Sequence, residues 1–445
     1  MNDIYRAAIV GAGPGGLIAF TTLRYAGVPS GEIIVMDDRA VPLRAWAGHT
    51  AAIRQGSMRS ESEGHFFPTD LPGFAQMDAI HHASLGPLIK STFNRYTPPL
   101  DRVLHHGEAL GRHFGMSERI EPSRIARVVR EEGPVAHFAL CDSAGDVRAR
   151  AKHVLLALGH ADLRWPDVCS DRAARDDLSD LLYHAYQPKP YGQRHVLVIG
   201  SGMAAAGEWI NVFRAGGSVV SIRRSPHIAE QALSAPRCAF GGPWLDRYHR
   251  LEVPERRAEL AKLGRGSFPP DPKWKKPIHQ ARAEGQLHLR VGTVVRLERT
   301  PQNRVAALVR DGVTSREDTL VADMVVAATG FLSAWHDYDI LDRLVKEYHL
   351  DTYASYLALG DDCAVPGISR LDSVLMVSGP ASRWAYPAAD SFAGMKYAAR
   401  RFGRYAAPEK RAGPRFRTWL GMVRAGWPYT GAEDGWSGSE SCASP

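Results

Sequence analysis

Two glycine clusters carry the clearest chemistry in this 445-residue chain. The first is Gly11-Ala12-Gly13-Pro14-Gly15-Gly16, a complete GxGxxG. Gly11 permits a tight turn, Gly13 lets the backbone approach a pyrophosphate, and Gly16 lets the next helix pack close to a strand. The helix N-terminus then faces the negative charge. Asp37 follows Gly16 by 21 positions (37 − 16), where a carboxylate accepts hydrogen bonds from a ribose diol. The second cluster is Gly200-Ser201-Gly202-Met203-Ala204-Ala205, of GxGxxA form. The strand expected after it ends in Ile222-Arg223-Arg224. Arginine forks bind a 2′-phosphate, which a carboxylate would repel. The pair of fingerprints therefore points to FAD at Gly11, Gly13, Gly16 and Asp37, and to NADPH at Gly200, Gly202, Ala205, Arg223 and Arg224.

Each fingerprint needs a strand before it and a helix after it, and the pattern supplies both. Arg6 to Val10 reads as a buried strand, Leu17 to Tyr25 as a helix and Glu32 to Met36 as a second strand. His195 to Ile199, Ala204 to Arg214 and Ser218 to Ile222 repeat that order. Three alternating segments within 118–158 read as a β-meander returning to a parallel strand. Residues 46–99, rich in Gly, Pro, His and Ser, read as loops with short helices. A polar-faced helix is expected over 254–264, strands over 287–325, a strand at Ser373 to Val377 and a helix at Asp390 to Arg401. The expected fold is α/β, with two Rossmann-like dinucleotide-binding domains, the second inserted into the first. The expected division is 1–190 for the first part of the FAD domain, 191–325 for NADPH, 326–410 for the FAD return segment and 411–445 for an extension with a disordered tail.

Composition narrows the class. Hydrophobic content of 44% and charged content of 23% are those of an ordinary globular protein. The net charge of +7 is small for the length, and the basic runs Lys273-Trp274-Lys275-Lys276 and Arg400-Arg401 are short, so no nucleic-acid partner is expected. Five cysteines include no CxxC pair, which argues against a disulfide framework, a zinc site or a dithiol redox centre. Adjacent histidines at 81–82 and 105–106 lack carboxylate partners at ligand spacing, so no metal is expected. The N-terminus shows no secretory signal, and no run of eighteen apolar residues suggests a membrane span. A cytoplasmic location and no membrane partner are the resulting expectations.

Ala328-Thr329-Gly330 resembles the strand-turn at which two-dinucleotide flavoproteins cross back to their FAD domain, and Leu156-Ala157-Leu158-Gly159 is a weaker copy. Within that group the chain resembles class B flavin monooxygenases, closest to the N-hydroxylating branch of ornithine and lysine N-hydroxylases. Trp46-Ala47-Gly48-His49, the insertion after Arg224, and Ser378-Gly379 with Asp390-Ser391 carry this likeness. The resemblance implies cofactor contacts at Trp46, Thr329, Gly330 and Asp390. It also implies reduction of FAD by NADPH, addition of O₂ at flavin C4a, and oxygen transfer to a small molecule. N-hydroxylation of an amine or amino acid in secondary or siderophore metabolism is the leading reaction. Arg54, Gln55, Arg59 and His65 are the catalytic candidates, in a loop expected to face the isoalloxazine. Ser382, Arg383, Trp384 and Tyr386 could line a substrate pocket or pack a junction. The chain departs from the group at two places. The Baeyer–Villiger signature FxGxxxHxxxW is absent, and Met203 stands where relatives carry Gln or Asn. A flavin reductase or oxidase without oxygen transfer, and a Baeyer–Villiger or S-oxygenating enzyme, stay open, as does homo-oligomerisation. A non-catalytic flavin sensor has less need of the arginine pair.

Overall fold

The computed structural model describes residues 4–59, 65–93, 95–230, 237–263, 267–408 and 416–427. The expected tail lies outside them. Two sheets organise the chain. In the first, the strands run Ile120–Glu121, Ile33–Met36, Tyr5–Val10, Val147–Leu156, His137–Cys141 and Arg127–Glu131, and Leu375–Val377 also pairs with Val147–Leu156. The central strands are continuous apolar runs. Ile9, Val35, Leu155 and Met376 are fully buried, as parallel strands covered on both faces must be. The ten-residue strand Val147–Leu156 pairs with Tyr5–Val10 along one edge and shares its other edge between two neighbours. Its first half pairs antiparallel with His137–Cys141, and Val154 to Leu156 pair in parallel with Leu375 to Val377.

The second sheet runs Glu317–Ala322, Val305–Asp311, Leu287–Arg299, Ser218–Arg223, His195–Ile199, Met324–Ala327 and Leu182–His184. The division expected at residue 190 would leave Leu182–His184 with the first unit. Its parallel pairing with Met324–Ala327 puts it in the second sheet.

Each glycine turn feeds a helix, Pro14–Tyr25 in the first unit and Met203–Arg214 in the second. Neither N-cap is a side chain that bonds back, so the first-turn N–H groups are left to a ligand or water. Helix Pro14–Tyr25 packs between its sheet and two further helices, Leu100–Phe114 and Phe392–Ala406. The polar stretch 46–99 forms the helices Arg44–Ala52, Phe74–His81 and Gly86–Thr92. Helix 254–264 is realised as Val253–Ala261; Gly264 lies outside the described residues.

Candidate active site

The two glycine turns are built the same way. Gly11 has φ +107°, and a Cβ there would stand 2.3 Å from the Ala157 carbonyl oxygen. Gly200 has φ +141°, and a Cβ there would stand 2.4 Å from the Ala328 carbonyl oxygen. Each turn is thus pressed against one of the two crossing segments, Leu156–Gly159 and Ala328–Gly330. A Cβ on Gly16 would meet the Gly11 carbonyl oxygen at 1.9 Å, so the first helix can start where it does only without a side chain there. Gly13 and Gly202 differ: a Cβ at either meets nothing within 4 Å. These two positions leave room above the backbone, as a phosphate group requires.

A cavity of about 1250 Å³ begins at Gly11, Gly13 and Pro14. Single small-molecule sites span roughly 300–1,000 Å³, so this one is larger than most. Asp37, Asp38 and Arg39 line it beside the turn. The Asp37 carboxylate accepts the Ala12 N–H at 2.8 Å and the Arg39 N–H at 2.9 Å. Each oxygen keeps further acceptor capacity for a diol. Trp46 lines the middle of the cavity, held edge-on by Phe66 and Phe392. Asp390 lines it 3.9 Å from the Arg383 guanidinium. The expected helix starts at Phe392, capped by Ser391, whose Oγ accepts the Gly394 N–H at 3.1 Å.

Among the catalytic candidates the structure separates two from two. Gln55 and Arg59 line the cavity. The Gln55 amide donates to the Ser57 carbonyl at 2.9 Å. Burial lowers the Arg59 pKa to about 10, against the opposing pull of Asp390, so it stays charged at neutral pH. Arg54 and His65 do not face the cavity. Arg54, at φ +49°, lays its guanidinium over the Tyr191 ring at 4.2 Å. His65 is fully buried between the rings of Phe74 and Phe392, at 4.4 and 5.1 Å. Burial, then the charges of His106 and Lys396, hold it neutral.

At the second turn, Met203 reaches the cavity while Gly200, Gly202 and Ala205 do not line it; Ala205 is buried under the sheet. The strand-end arginines stand apart from the cavity. Arg223 donates to the Pro226 carbonyl at 2.9 Å, and burial followed by the charge of Arg282 lowers its pKa. Arg224 is exposed. Neither these two nor Arg282 forms an ion pair among the described residues. Arg282, on helix Pro272–Ala283, was not singled out from the sequence. Thr329 and Gly330 are taken up by the crossing. The Thr329 hydroxyl donates to the Arg164 carbonyl, and the Arg164 N–H donates to the Gly330 carbonyl at 2.9 Å.

Where the two units meet, four rings gather that the sequence reading did not assemble. His160 stacks on Phe331 at 4.4 Å and 8°, Tyr186 approaches Phe331 at 4.5 Å, and His49 at 5.0 Å. His49, His160 and Phe331 line the cavity beside Met203. Behind them a polar knot ties the units together. Lys189 and Glu208 pair at 3.3 Å with both side chains fully buried. The Tyr191 hydroxyl donates to Glu208 at 2.8 Å, and the Asn211 amide donates to the Ile53 carbonyl at 2.9 Å. At its far end the cavity is lined by Phe240, Tyr386, Tyr397, Lys396, Arg400 and Arg401.

The fold is one shared with solved structures of flavin monooxygenases and N-hydroxylases. The chain is similar in structure to a reduced form of the ornithine hydroxylase PvdA from Pseudomonas aeruginosa, with a TM-score of 0.68 and 18% identity over 92% of this chain and 100% of that one. It is also similar to the ornithine N-hydroxylase KtzI of Kutzneria sp. 744, with a TM-score of 0.66 and 14% identity over 91% and 99%. L-lysine 6-monooxygenase from Pseudomonas syringae gives a TM-score of 0.63 and 17% identity over 95% and 99%. At these identities the likeness is one of fold. No protein-family model matches the chain, and no curated protein matches it in sequence.

Proposed function

We propose that the chain is an FAD- and NADPH-dependent monooxygenase that oxygenates a small molecule, with N-hydroxylation of an amine or amino acid as its reaction. The supporting observation is one continuous cavity reached from both glycine turns, through Gly13 at one end and Met203 beside the aromatic junction. The residues present fit both groups. Gly11, Gly13 and the first-turn N–H groups of helix Pro14–Tyr25 would hold the FAD pyrophosphate, Asp37 its ribose, and Trp46 and Asp390 the ring end. The Gly200 turn would hold the second pyrophosphate, with Arg223, Arg224 and Arg282 supplying unpaired positive charge for a 2′-phosphate.

FAD, when bound, supplies electron transfer from NADPH to O₂. The chain supplies the surroundings. Arg59 places a fixed positive charge on the cavity wall, where a preorganised charge stabilises developing negative charge. His49, His160 and Phe331 present ring faces that keep water from the junction. Burial lowers the pKa of both histidines, so they are neutral at physiological pH.

One observation favours a second reading, a flavin reductase or oxidase that releases peroxide. Met203 puts an apolar thioether into the cavity where the resemblance leads one to expect an amide. The test is NADPH oxidation under ¹⁸O₂ with a panel of primary amines and amino acids. Labelled hydroxylamine product supports the monooxygenase. Stoichiometric hydrogen peroxide with every member, and no labelled product, eliminates it in favour of the second reading.

A further inference from the structure

Five of the fourteen exposed large hydrophobic side chains among the described residues fall between positions 71 and 93. They are Leu71, Ile80, Leu85, Ile89 and Phe93, with exposures from 57% to 71%. The helices Phe74–His81 and Gly86–Thr92 pack on each other as a hairpin. Phe74 and Met77 turn inward and are buried. Leu85, Ile89 and Phe93 recur every fourth residue, which puts them on one side of the second helix. The patch continues onto helix Phe416–Ala425. There Phe416, 69% exposed, stacks on Trp419, whose indole N–H donates to the Leu71 carbonyl at 3.3 Å.

Along the hairpin itself the charges left without an ion pair are positive. Between residues 65 and 100 the acids are Asp70 and Asp78 alone. Asp70 is paired with Arg400 at 2.6 Å, and Asp78 with Arg102 at 3.0 Å. Lys90, Arg95 and Arg417 are exposed, and no ion pair to a described residue neutralises them. Helix Phe416–Ala425 contains no acid.

We propose that this hairpin lies on an anionic lipid surface, with Ile80, Leu85, Ile89 and Phe93 in the acyl boundary and Lys90 and Arg95 among the headgroups. Protruding apolar chains rimmed by cations are the chemistry of interfacial binding. A second copy of the chain fits less well. A two-fold contact sets a patch against itself, and here that would bring Lys90 and Arg95 against their own copies. No described helix is long and apolar enough to cross a membrane, so the association is with the surface. The expectation of no membrane partner rested on the absence of a spanning segment, which does not bear on this mode. Asp70, next to Leu71, lines the cavity, so the docked face adjoins the cavity wall.

The test is co-sedimentation of the purified full chain with vesicles of phosphatidylcholine alone and of phosphatidylcholine mixed with phosphatidylglycerol. Binding is expected to the mixed vesicles only, and to weaken as salt rises. A Lys90→Gln/Arg95→Gln variant is expected to bind about 25-fold more weakly, at roughly 5-fold per cation. Ile89→Ser/Phe93→Ser should abolish binding while elution volume and melting temperature stay unchanged. Wild-type protein that ignores the mixed vesicles, or a double serine variant that binds them as well as wild type, overturns the proposal. A serine variant that dissociates an oligomer, with no vesicle binding by wild type, assigns the face to a second copy and overturns it equally. None of these readings depends on oxygenase activity.

Discussion

Replacing Lys189 by Met should destabilise the chain by about 3–5 kcal/mol, because it strands a buried carboxylate. Lys189 and Glu208 lie 3.3 Å apart with neither side chain exposed. Burial raises the Glu208 pKa, and Lys189 is the largest influence holding it down; burial likewise lowers Lys189, with Glu208 opposing. After Lys189→Met, Glu208 would keep the Tyr191 hydroxyl and the weaker pull of Arg54. Desolvation then dominates. Methionine fills most of the lysine stem's volume, so little of the loss is a cavity. The double variant Lys189→Met/Glu208→Leu removes both charges and should recover at least about 2 kcal/mol of the single variant's loss, since apolar pairs often replace buried ion pairs at little cost. Urea unfolding monitored by tryptophan fluorescence is the assay, because Trp209 is fully buried on the same helix as Glu208. A Lys189→Met loss under about 1 kcal/mol, or a double variant whose loss equals the sum of the singles, would refute the reasoning. In the first case water must reach the pair.

Gly13→Val should leave the melting temperature of flavin-free protein near wild type, because nothing crowds that position; it should abolish flavin retention, read from visible absorbance of the purified protein. Arg223→Ala/Arg224→Ala should raise KM for NADPH about 10- to 100-fold, at roughly 1.5–3 kcal/mol for charged hydrogen bonds, and change KM for NADH little; equal effects on both would remove the 2′-phosphate assignment. His65 and His106 are neutral in the folded chain, with the His106 pKa depressed by burial from 6.5 to about 3 and His65 lowered well below 6.5. Their depressed values mean that stability is fully present above pH 6.5 and is lost as pH falls below it, for His106 down to about 3. His106 contributes about 1.4 kcal/mol per pH unit in that window. His106→Leu should flatten the slope of urea midpoint against pH by one such increment, and an unchanged slope would contradict its buried neutral state.

The parts of this molecule that are legible in the sequence are those where a backbone constraint fixes a residue type. Gly11, Gly16 and Gly200 announce themselves because a Cβ would strike a carbonyl oxygen within 2.5 Å. The strands beside them show as apolar runs because both faces are covered. What is not legible depends on side chains that meet through space. His49, His160, Tyr186 and Phe331 come from four segments spread over nearly 300 positions, and no spacing rule links them. Arg54 and Gln55 are neighbours in sequence, yet one turns to Tyr191 and the other to the cavity, because Arg54 takes a left-handed backbone. His65 looks polar and available until Phe74 and Phe392 close around it. Helix Leu100–Phe114 is hard to read from the sequence because its three histidines and two glycines obscure an amphipathic face that buries Val103, Leu110 and Phe114.

The strand Val147–Leu156 has a consequence for how the chain is made. Its inner half waits for Leu375–Val377, which emerges 219 residues later (375 − 156). At about 5–20 residues per second of synthesis, that edge stays unpaired for roughly 10–45 s while the whole second sheet is produced. An apolar parallel edge exposed for so long is a site where nascent chains adhere to one another. Yield of native protein should therefore depend on the speed of translation through the inserted unit, and on chaperones that cover the Val154–Leu156 edge meanwhile.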